Sequence, residues 1–223
     1  MQSHRLRLIE DRIPAGHAPI YLPRRVRSLY VVSGSVMVEF ATGAQRVATE
    51  AAWLGDEEVT LITAEQDVVI WRWELIAGNQ PVSVDLRSAP GAKSALKLEH
   101  AVELDPAFGW LIRCDRVKFP PGGVALTHIH QGPGIRCVQS GEITIETEGQ
   151  KHVHKPGDAW FEVGHSPVLA PTTPDSSTTF VRCFLLPQAC SGRSSIRYVL
   201  PEDAGKAKTQ TYDIFGERFF TLS

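Results

Sequence analysis

Apolar residues alternate with other residues along many short stretches of the chain. Val36, Val38 and Phe40 stand at every second position, which is the pattern of a half-buried strand. Residues 59–63 and 68–75 are further strand candidates, and turn-forming residues separate them. The first half shows no long window with a helical period. The pattern therefore predicts short β-strands joined by tight turns.

The second half of the chain repeats the pattern of the first. Three pairs of similar segments follow in the same order: residues 33–34 and 140–141 at an offset of 107, residues 55–56 and 157–158 at an offset of 102, and residues 69–75 and 180–186. Such self-similarity indicates an internal duplication. Two halves made of short strands predict an all-β protein with two tandem β-barrels of the jelly-roll type.

The turn-rich residues between the halves indicate where the first barrel ends. Gly, Pro, Asn and Ser are frequent from Ala77 to Ala92, as expected of a connector. The periodicity is lost near the C-terminus, where Phe215, Phe219 and Phe220 are expected to pack the tail against a barrel. The predicted layout is a first barrel at residues 1–78, a connector at 79–98, a second barrel at 99–187 and a tail at 188–223.

The balance of charges excludes some classes of partner. The chain has 23 Lys and Arg against 25 Asp and Glu, a net charge of −2, so we expect neither nucleic acid nor an anionic membrane as a partner. No apolar stretch reaches the length of about 18 residues that a membrane span needs, and the N-terminus lacks a signal-peptide core. We therefore expect a cytoplasmic protein whose four cysteines stay reduced.

Histidines are the main candidates for chemistry. His128 and His130 are two residues apart, so on a strand their side chains point to the same face, about 6–7 Å apart. Two such imidazoles suit neighbouring positions on one divalent metal ion, although two partly exposed strand histidines would show the same spacing. His152 and His154 form a second such pair, which we interpret as polar positions on a partly exposed strand.

The segment around His128 resembles the cupin superfamily. That family has a first motif G-x5-H-x-H-x3-4-E-x6-G and a second motif G-x5-P-x-G-x2-H-x3-N. The matching positions here are Gly122 or Gly123, His128, His130 and Gly141 in the first motif and Pro156 and Gly157 in the second. The resemblance covers about residues 110–187 well and the first half only through the duplicated turns. It implies a two-cupin protein, a bicupin, with two double-stranded β-helix barrels of which the first is degenerate.

Two of the family's four metal ligands are missing from their usual places. Gly134 stands where the first motif has its glutamate, and Val168 stands where the second motif has its histidine. His165 and Glu162 are the nearest candidates for a further ligand, because mononuclear sites commonly have at least three protein ligands. The prediction is one divalent transition metal ion (Fe²⁺, Mn²⁺, Ni²⁺ or Zn²⁺) in the second barrel only.

Arg136 and Trp160 are the candidate substrate-binding residues. If one strand continues from the histidines, Arg136 has their parity and points into the barrel. A buried guanidinium needs an acceptor, which a substrate carboxylate could provide. The alternative is a structural salt bridge to an inward acid such as Glu162. Trp160 could line or cap the barrel, with core packing as its alternative role.

The first half lacks an equivalent site. Alignment of Gly34 with Gly141 puts Tyr21 and Pro23 at the two histidine positions, so we expect this barrel to be a structural or dimerising copy. Its basic residues Arg24, Arg25 and Arg27 are expected to form a solvated face.

These observations lead to three possible functions. The first is a metal-dependent cupin oxygenase, isomerase or lyase acting on a small, carboxylate-bearing molecule. The second is a non-catalytic protein that binds a small molecule, and the third is a structural bicupin. The resemblance also implies a homodimer, because an open sheet edge needs cover.

Overall fold

A computed structural model of the protein describes residues 2–63, 65–78 and 82–222. These residues form two compact units. Within the described residues, the first unit comprises residues 2–107 and 215–222, and the second unit is Phe108–Ile214. Both units consist of antiparallel strands, so the all-β fold predicted from the sequence is confirmed. No described helix has the length and apolar character needed to cross a membrane.

The first unit contains two sheets. One has the strand order β6-β3-β8-β1-β9 and the other has the order β2-β7-β4-β5. The bounds are β1 Gln2–Ile13, β2 Ile20–Leu22, β3 Arg27–Ser33, β4 Ser35–Phe40, β5 Gly43–Ala48, β6 Ala52–Gly55, β7 Val59–Thr63, β8 Val68–Ala77 and β9 Lys93–Leu104. Apolar side chains such as Leu29, Val38 and Ile70 fill the space within this unit.

The second unit repeats this arrangement. Its sheets have the orders β15-β12-β17-β10-β19 and β14-β13-β16-β11-β18. The bounds are β10 Trp110–Phe119, β11 Val124–His130, β12 Gly134–Ser140, β13 Ile143–Thr147, β14 Gln150–His154, β15 Ala159–Glu162, β16 Val168–Pro171, β17 Thr178–Pro187, β18 Ile196–Tyr198 and β19 Thr211–Phe220. Two short 3-10 helices, Gln188–Cys190 and Pro201–Asp203, lie between β17 and β19.

The duplicated Ser-Gly pairs occupy equivalent turns. Each follows a strand with a register shift, between Val31 and Ser33 in β3 and between Val138 and Ser140 in β12. Gly34 and Gly141 have φ angles of +84° and +74°, which residues with a Cβ atom rarely adopt. The repeated sequence therefore reflects a repeated turn geometry.

The structure divides the chain at different positions from the predicted layout. Residues 79–81 of the predicted connector lie outside the described residues, but β9 begins at Lys93 and pairs with β1. The first unit therefore continues to Ala107 instead of ending near residue 78.

The predicted tail belongs to both units, because the division falls within β19. Phe215 packs on Tyr30 in the first unit, with ring centroids 5.4 Å apart. Phe220 is buried and Phe219 is exposed, so only two of the three tail phenylalanines pack as expected.

Candidate metal centre

Strand β11 places His128 and His130 inside the second unit. Both side chains are buried, and their ring centroids are 4.8 Å apart. The Nδ1 atom of His128 lies 2.7 Å from the carbonyl oxygen of Leu126, and Nδ1 of His130 lies 3.1 Å from that of Ser195. A carbonyl can only accept, so both Nδ1 atoms carry the proton and each Nε2 keeps a lone pair. Metal-binding histidines are commonly oriented in this way.

Glu162 on β15 completes a group of three candidate ligands. The ligand atoms of His128, His130 and Glu162 all lie within 4.8 Å of one another, and all three residues are buried. Glu162 is the direct cross-strand partner of Gly134 in β12. The group therefore has a carboxylate beside the position where the cupin motif has its own, supplied by the neighbouring strand.

The two carboxylate oxygens of Glu162 have different surroundings. Oε1 accepts a hydrogen bond of 2.8 Å from Nε1 of Trp160. Oε2 is 2.7 Å from Nη2 of Arg136 and 3.7 Å from Nε2 of His130. Although the ion pair with Arg136 is short, its geometry does not satisfy a hydrogen bond, and Oε2 is buried without one. A metal ion next to the two free Nε2 atoms would satisfy this oxygen, so the donor set fits a divalent cation.

Burial and neighbouring charges favour the neutral form of both imidazoles. Burial lowers the pKa of His128, and it lowers the pKa of His130 well below its usual value. Arg182 and Arg136 lower the pKa of His130 further. Since a histidine binds metal in its neutral form, these shifts make the pair available to a cation at neutral pH.

Arg136 lies inside the unit, but for a different reason from the one that the sequence suggested. The turn after His130 ends β11, and Arg136 lies on β12 in the other sheet, so the argument from continuous strand parity was wrong. Its guanidinium pairs with Glu162 and donates to the carbonyl oxygen of Gly134 at 2.5 Å. The alternative of a salt bridge to Glu162 is thus present, and burial lowers the pKa of Arg136 to about 10.

The structure leaves His165 outside the group. His165 is exposed in the turn after β15, where Gly164 has a φ of +102°. Val168, at the family's histidine position, is the cross-strand partner of His128. Of the two candidates for a third ligand, the fold brings only Glu162 to the histidine pair.

Trp160 is buried and borders the same cavity as the histidines. Its ring stacks on His154 at a centroid distance of 4.9 Å and meets Phe180 edge-on at 5.2 Å. Together with its bond to Glu162, these contacts hold the tryptophan in one orientation. Its predicted contact with a substrate remains a prediction.

Several residues at the site were not predicted from the sequence. Arg182 on β17 makes two hydrogen bonds to Asp115, of 2.6 and 3.2 Å, and lies over the rings of Phe184 and Tyr212. The strand register makes Arg182 the counterpart of Arg72, because Arg182 lies opposite Arg136 and Arg72 lies opposite Leu29. The sequence match of residues 69–75 with 180–186 aligned Arg182 with Trp71 and so missed this correspondence. Tyr212 comes from the C-terminal tail, for which the sequence pattern gave no signal.

The cavity beside these residues is small. It has a volume of about 20 Å³, which is room for one or two waters. Any ligand larger than a metal ion with its water must therefore displace side chains from the wall. The charged, histidine and aromatic groups that line it are His128, His130, Arg136, Glu162, Arg182, Trp160, Phe119, Phe180 and Tyr212.

Comparisons with known proteins agree with this fold. Residues 115–167 match the family model described as "Cupin domain". This match and the structural neighbours confirm the cupin resemblance, and the chain has the fold of a two-cupin protein. No curated protein matches the chain in sequence.

Three solved structures illustrate the similarity. AerE from Microcystis aeruginosa has a TM-score of 0.56 at 11% identity, over 83% of this chain and 88% of its own. A deletion mutant of Bacillus subtilis oxalate decarboxylase has a TM-score of 0.55 at 12% identity, over 80% and 68%. Salicylate 1,2-dioxygenase from Pseudaminobacter salicylatoxidans has a TM-score of 0.53 at 11% identity, over 80% and 70%. At these identities the similarity concerns the fold alone.

Proposed function

We propose that the second unit is a metal-dependent enzyme that binds one divalent transition metal ion through His128, His130 and Glu162. The substrate class is a small, carboxylate-bearing molecule, and the reaction class is that of a cupin oxygenase, isomerase or lyase. One observation carries the proposal. Two imidazoles with free Nε2 atoms and a buried carboxylate oxygen without a hydrogen bond face one another within 4.8 Å.

The donor set limits which metals fit. Two histidines and one carboxylate leave coordination positions open, as in non-haem Fe²⁺ and catalytic Zn²⁺ sites. Mn²⁺ and Ni²⁺ accept the same nitrogen and oxygen donors. A bound ion of this kind supplies a Lewis acid that polarises a substrate oxygen. The protein's own part is to hold Glu162 through Trp160 and to keep both imidazoles neutral.

The charges around the group favour an anionic substrate. Arg136 and Arg182 are balanced by Glu162 and Asp115, so a divalent ion would leave a surplus of two positive charges in a buried place. A carboxylate beside Arg136 would reduce that surplus and would accept from a guanidinium that is already held in position. Salicylate and oxalate, named for two of the structural neighbours, are carboxylates, which supports this choice of class.

The metal content of the protein tests the assigned ligands. Untagged protein is reconstituted without oxygen with Fe²⁺, Mn²⁺, Ni²⁺ or Zn²⁺, and bound metal is measured by elemental analysis. We expect one ion per chain, and we expect the double variant His128→Ala/His130→Ala to lose it. The matched control is His152→Ala/His165→Ala, which removes two exposed imidazoles outside the group. Full occupancy in the first variant, or equal loss in the control, would contradict the assigned ligands.

A non-catalytic binding protein is the second candidate, and the small cavity favours it. Room for only one or two waters suits a site that holds a metal ion without a large substrate. Metal-loaded protein would then bind carboxylates or the metal alone but turn over none of them. Product analysis by mass spectrometry, with and without oxygen, distinguishes the two candidates.

A further inference from the structure

Four arginine side chains surround a single glutamate in the first unit. Glu74 on β8 is fully buried, and its partners are Arg7 at 2.6 Å, Arg25 at 3.0 Å, Arg72 at 2.9 Å and Arg27 at 3.6 Å. The solvated face expected for Arg24, Arg25 and Arg27 is therefore wrong for the last two. Arg27 has no exposed side-chain surface and Arg25 has 21%, whereas Arg24 has 77%.

Positive charge exceeds negative charge in this cluster. Asp11, which pairs with Arg72 at 2.6 Å, is the second carboxylate, so two acids face four arginines. Nε of Arg27 is buried without a hydrogen bond. Arg25 uses one nitrogen on Glu74, and no other acceptor among the described residues bonds its remaining nitrogens. Burial alone would raise the pKa of Glu74, but the arginines lower it to about 2, so its negative charge is already fully engaged.

A cavity borders this cluster. Its volume is about 420 Å³, which lies within the range of small-molecule sites. The charged side chains on its wall are Arg25, Arg72 and Arg87 together with Glu74 and Asp85, so the arginines outnumber the acids by one, and the wall also has an apolar part. That apolar part consists of Leu22, Pro23, Val82 and Leu86. The cavity thus combines surplus guanidinium groups with a surface suited to an apolar body.

We propose that this cavity binds a small organic carboxylate, with the carboxylate at Arg25 and an apolar body against Leu22 and Leu86. Guanidinium groups bind carboxylates in a planar, often bidentate arrangement. Of the four arginines around Glu74, Arg25 has the most exposed side chain, at 21%, so its unused nitrogens can reach a ligand in the cavity. The first unit then contains a second ligand site, which needs no metal, and it is more than the structural copy expected from the sequence.

Calorimetric titration of the full chain with benzoate tests this site. The metal-free His128→Ala/His130→Ala variant is used as background, so that a metal site in the second unit cannot contribute. We expect one benzoate per chain and affinity that falls with added salt. Replacing Arg25 with Met should weaken binding about 10- to 100-fold. Arg24→Met is the matched control, since it removes the neighbouring charge, which is exposed and outside the cavity, and should change the affinity less than twofold.

A second variant guards against a folding defect. Arg87→Met changes an exposed side chain on the cavity wall, so it should leave the circular dichroism spectrum unchanged and still weaken benzoate binding severalfold. No benzoate binding at millimolar concentration would overturn the proposal, as would equal affinities in the Arg25→Met and Arg24→Met proteins. Binding of inorganic phosphate without binding of benzoate would overturn the choice of an organic carboxylate. None of these outcomes depends on the metal proposed for the second unit.

Discussion

The two units contain corresponding strand pairs that carry buried groups of opposite charge on opposite strands. In the first unit Arg27 of β3 lies opposite Gly55 of β6, and in the second unit Gly134 of β12 lies opposite Glu162 of β15. Both members of the pair are related by the offset of 107 that relates the Ser-Gly turns. The cation of the first unit, Arg27, therefore stands where the second unit has Gly134. The anion of the second unit, Glu162, stands where the first unit has Gly55.

Close packing explains why each pair contains one glycine. A Cβ atom at Gly134 would lie 2.5 Å from the carbonyl oxygen of Cys183, and a Cβ at Gly55 would lie 2.4 Å from the ring of Trp53. Neither position has room for a side chain, so each pair contributes a single charged group. The choice of which strand carries it decides the sign of the charge at this place inside each unit.

The histidine positions differ in the same way. The ungapped offset of 107 assigns Tyr21 and Pro23 to the positions of His128 and His130, but Tyr21 is exposed with its hydroxyl bonded to Glu58. The buried residues of β2 are Ile20 and Leu22, which are apolar. A metal has no ligand set there, whereas the arginines around Glu74 offer donors only. This comparison supports our proposals of a cation site in the second unit and an anion site in the first.

Removal of the central acid of the first unit should have the largest effect on stability. Glu74→Gln leaves four arginines without their shared carboxylate, and breaking a buried ion pair from one side costs about 3–5 kcal/mol. We expect a loss of this size in the free energy of unfolding measured with urea. Glu39→Gln, an exposed change on β4 of the same unit, is the control and should change it by less than about 0.5 kcal/mol. Equal stability of the two variants would contradict the role of Glu74.

Acid should reduce the stability of the first unit through the same residue. The pKa of Glu74 is lowered from 4.5 to about 2, so the folded protein keeps this charge while the unfolded chain takes up a proton. The stabilisation is present above pH 4.5 and is lost as the pH falls towards 2, by about 3 kcal/mol in total.

The difference in stability between wild type and Glu74→Gln isolates this contribution, because the acid-sensitive histidines of the second unit are common to both. We expect that difference, measured by urea unfolding, to shrink from pH 7 to pH 3. A constant difference over that range would show that the charge of Glu74 has no part in it.

A smaller effect should distinguish the two corresponding tryptophans. Trp160 holds Oε1 of Glu162 through a hydrogen bond of 2.8 Å, and Trp53 stands at the same offset of 107 with Gly55 in place of the glutamate. Trp160→Phe should weaken metal binding about 10- to 100-fold, as the loss of a group that orients a ligand commonly does. Trp53→Phe is the matched control and should leave metal affinity unchanged, both measured by competition with a chelator. Equal affinities in the two variants would exclude a positioning role for Trp160.

Local patterns determined a large part of this protein. The alternation of Val36, Val38 and Phe40 predicted strands, because residues two apart on a strand share a face. The repeated Ser-Gly turns predicted a duplication, because a glycine by itself permits the positive φ that such a turn needs. The His128 and His130 pair followed from the same rule, since residues two apart on a strand share a face.

Only the tertiary structure decided which residues meet across strands. Glu162 joins the histidines because β15 pairs with β12, and the sequence could not choose between Glu162 and His165, which are three residues apart. Arg27 is buried beside Glu74, 47 positions away in the chain, although its neighbours Arg24 and Arg25 suggested a solvated face. Sequence spacing determines the face of a strand on which a side chain lies, but strand pairing and sheet packing determine what that side chain contacts.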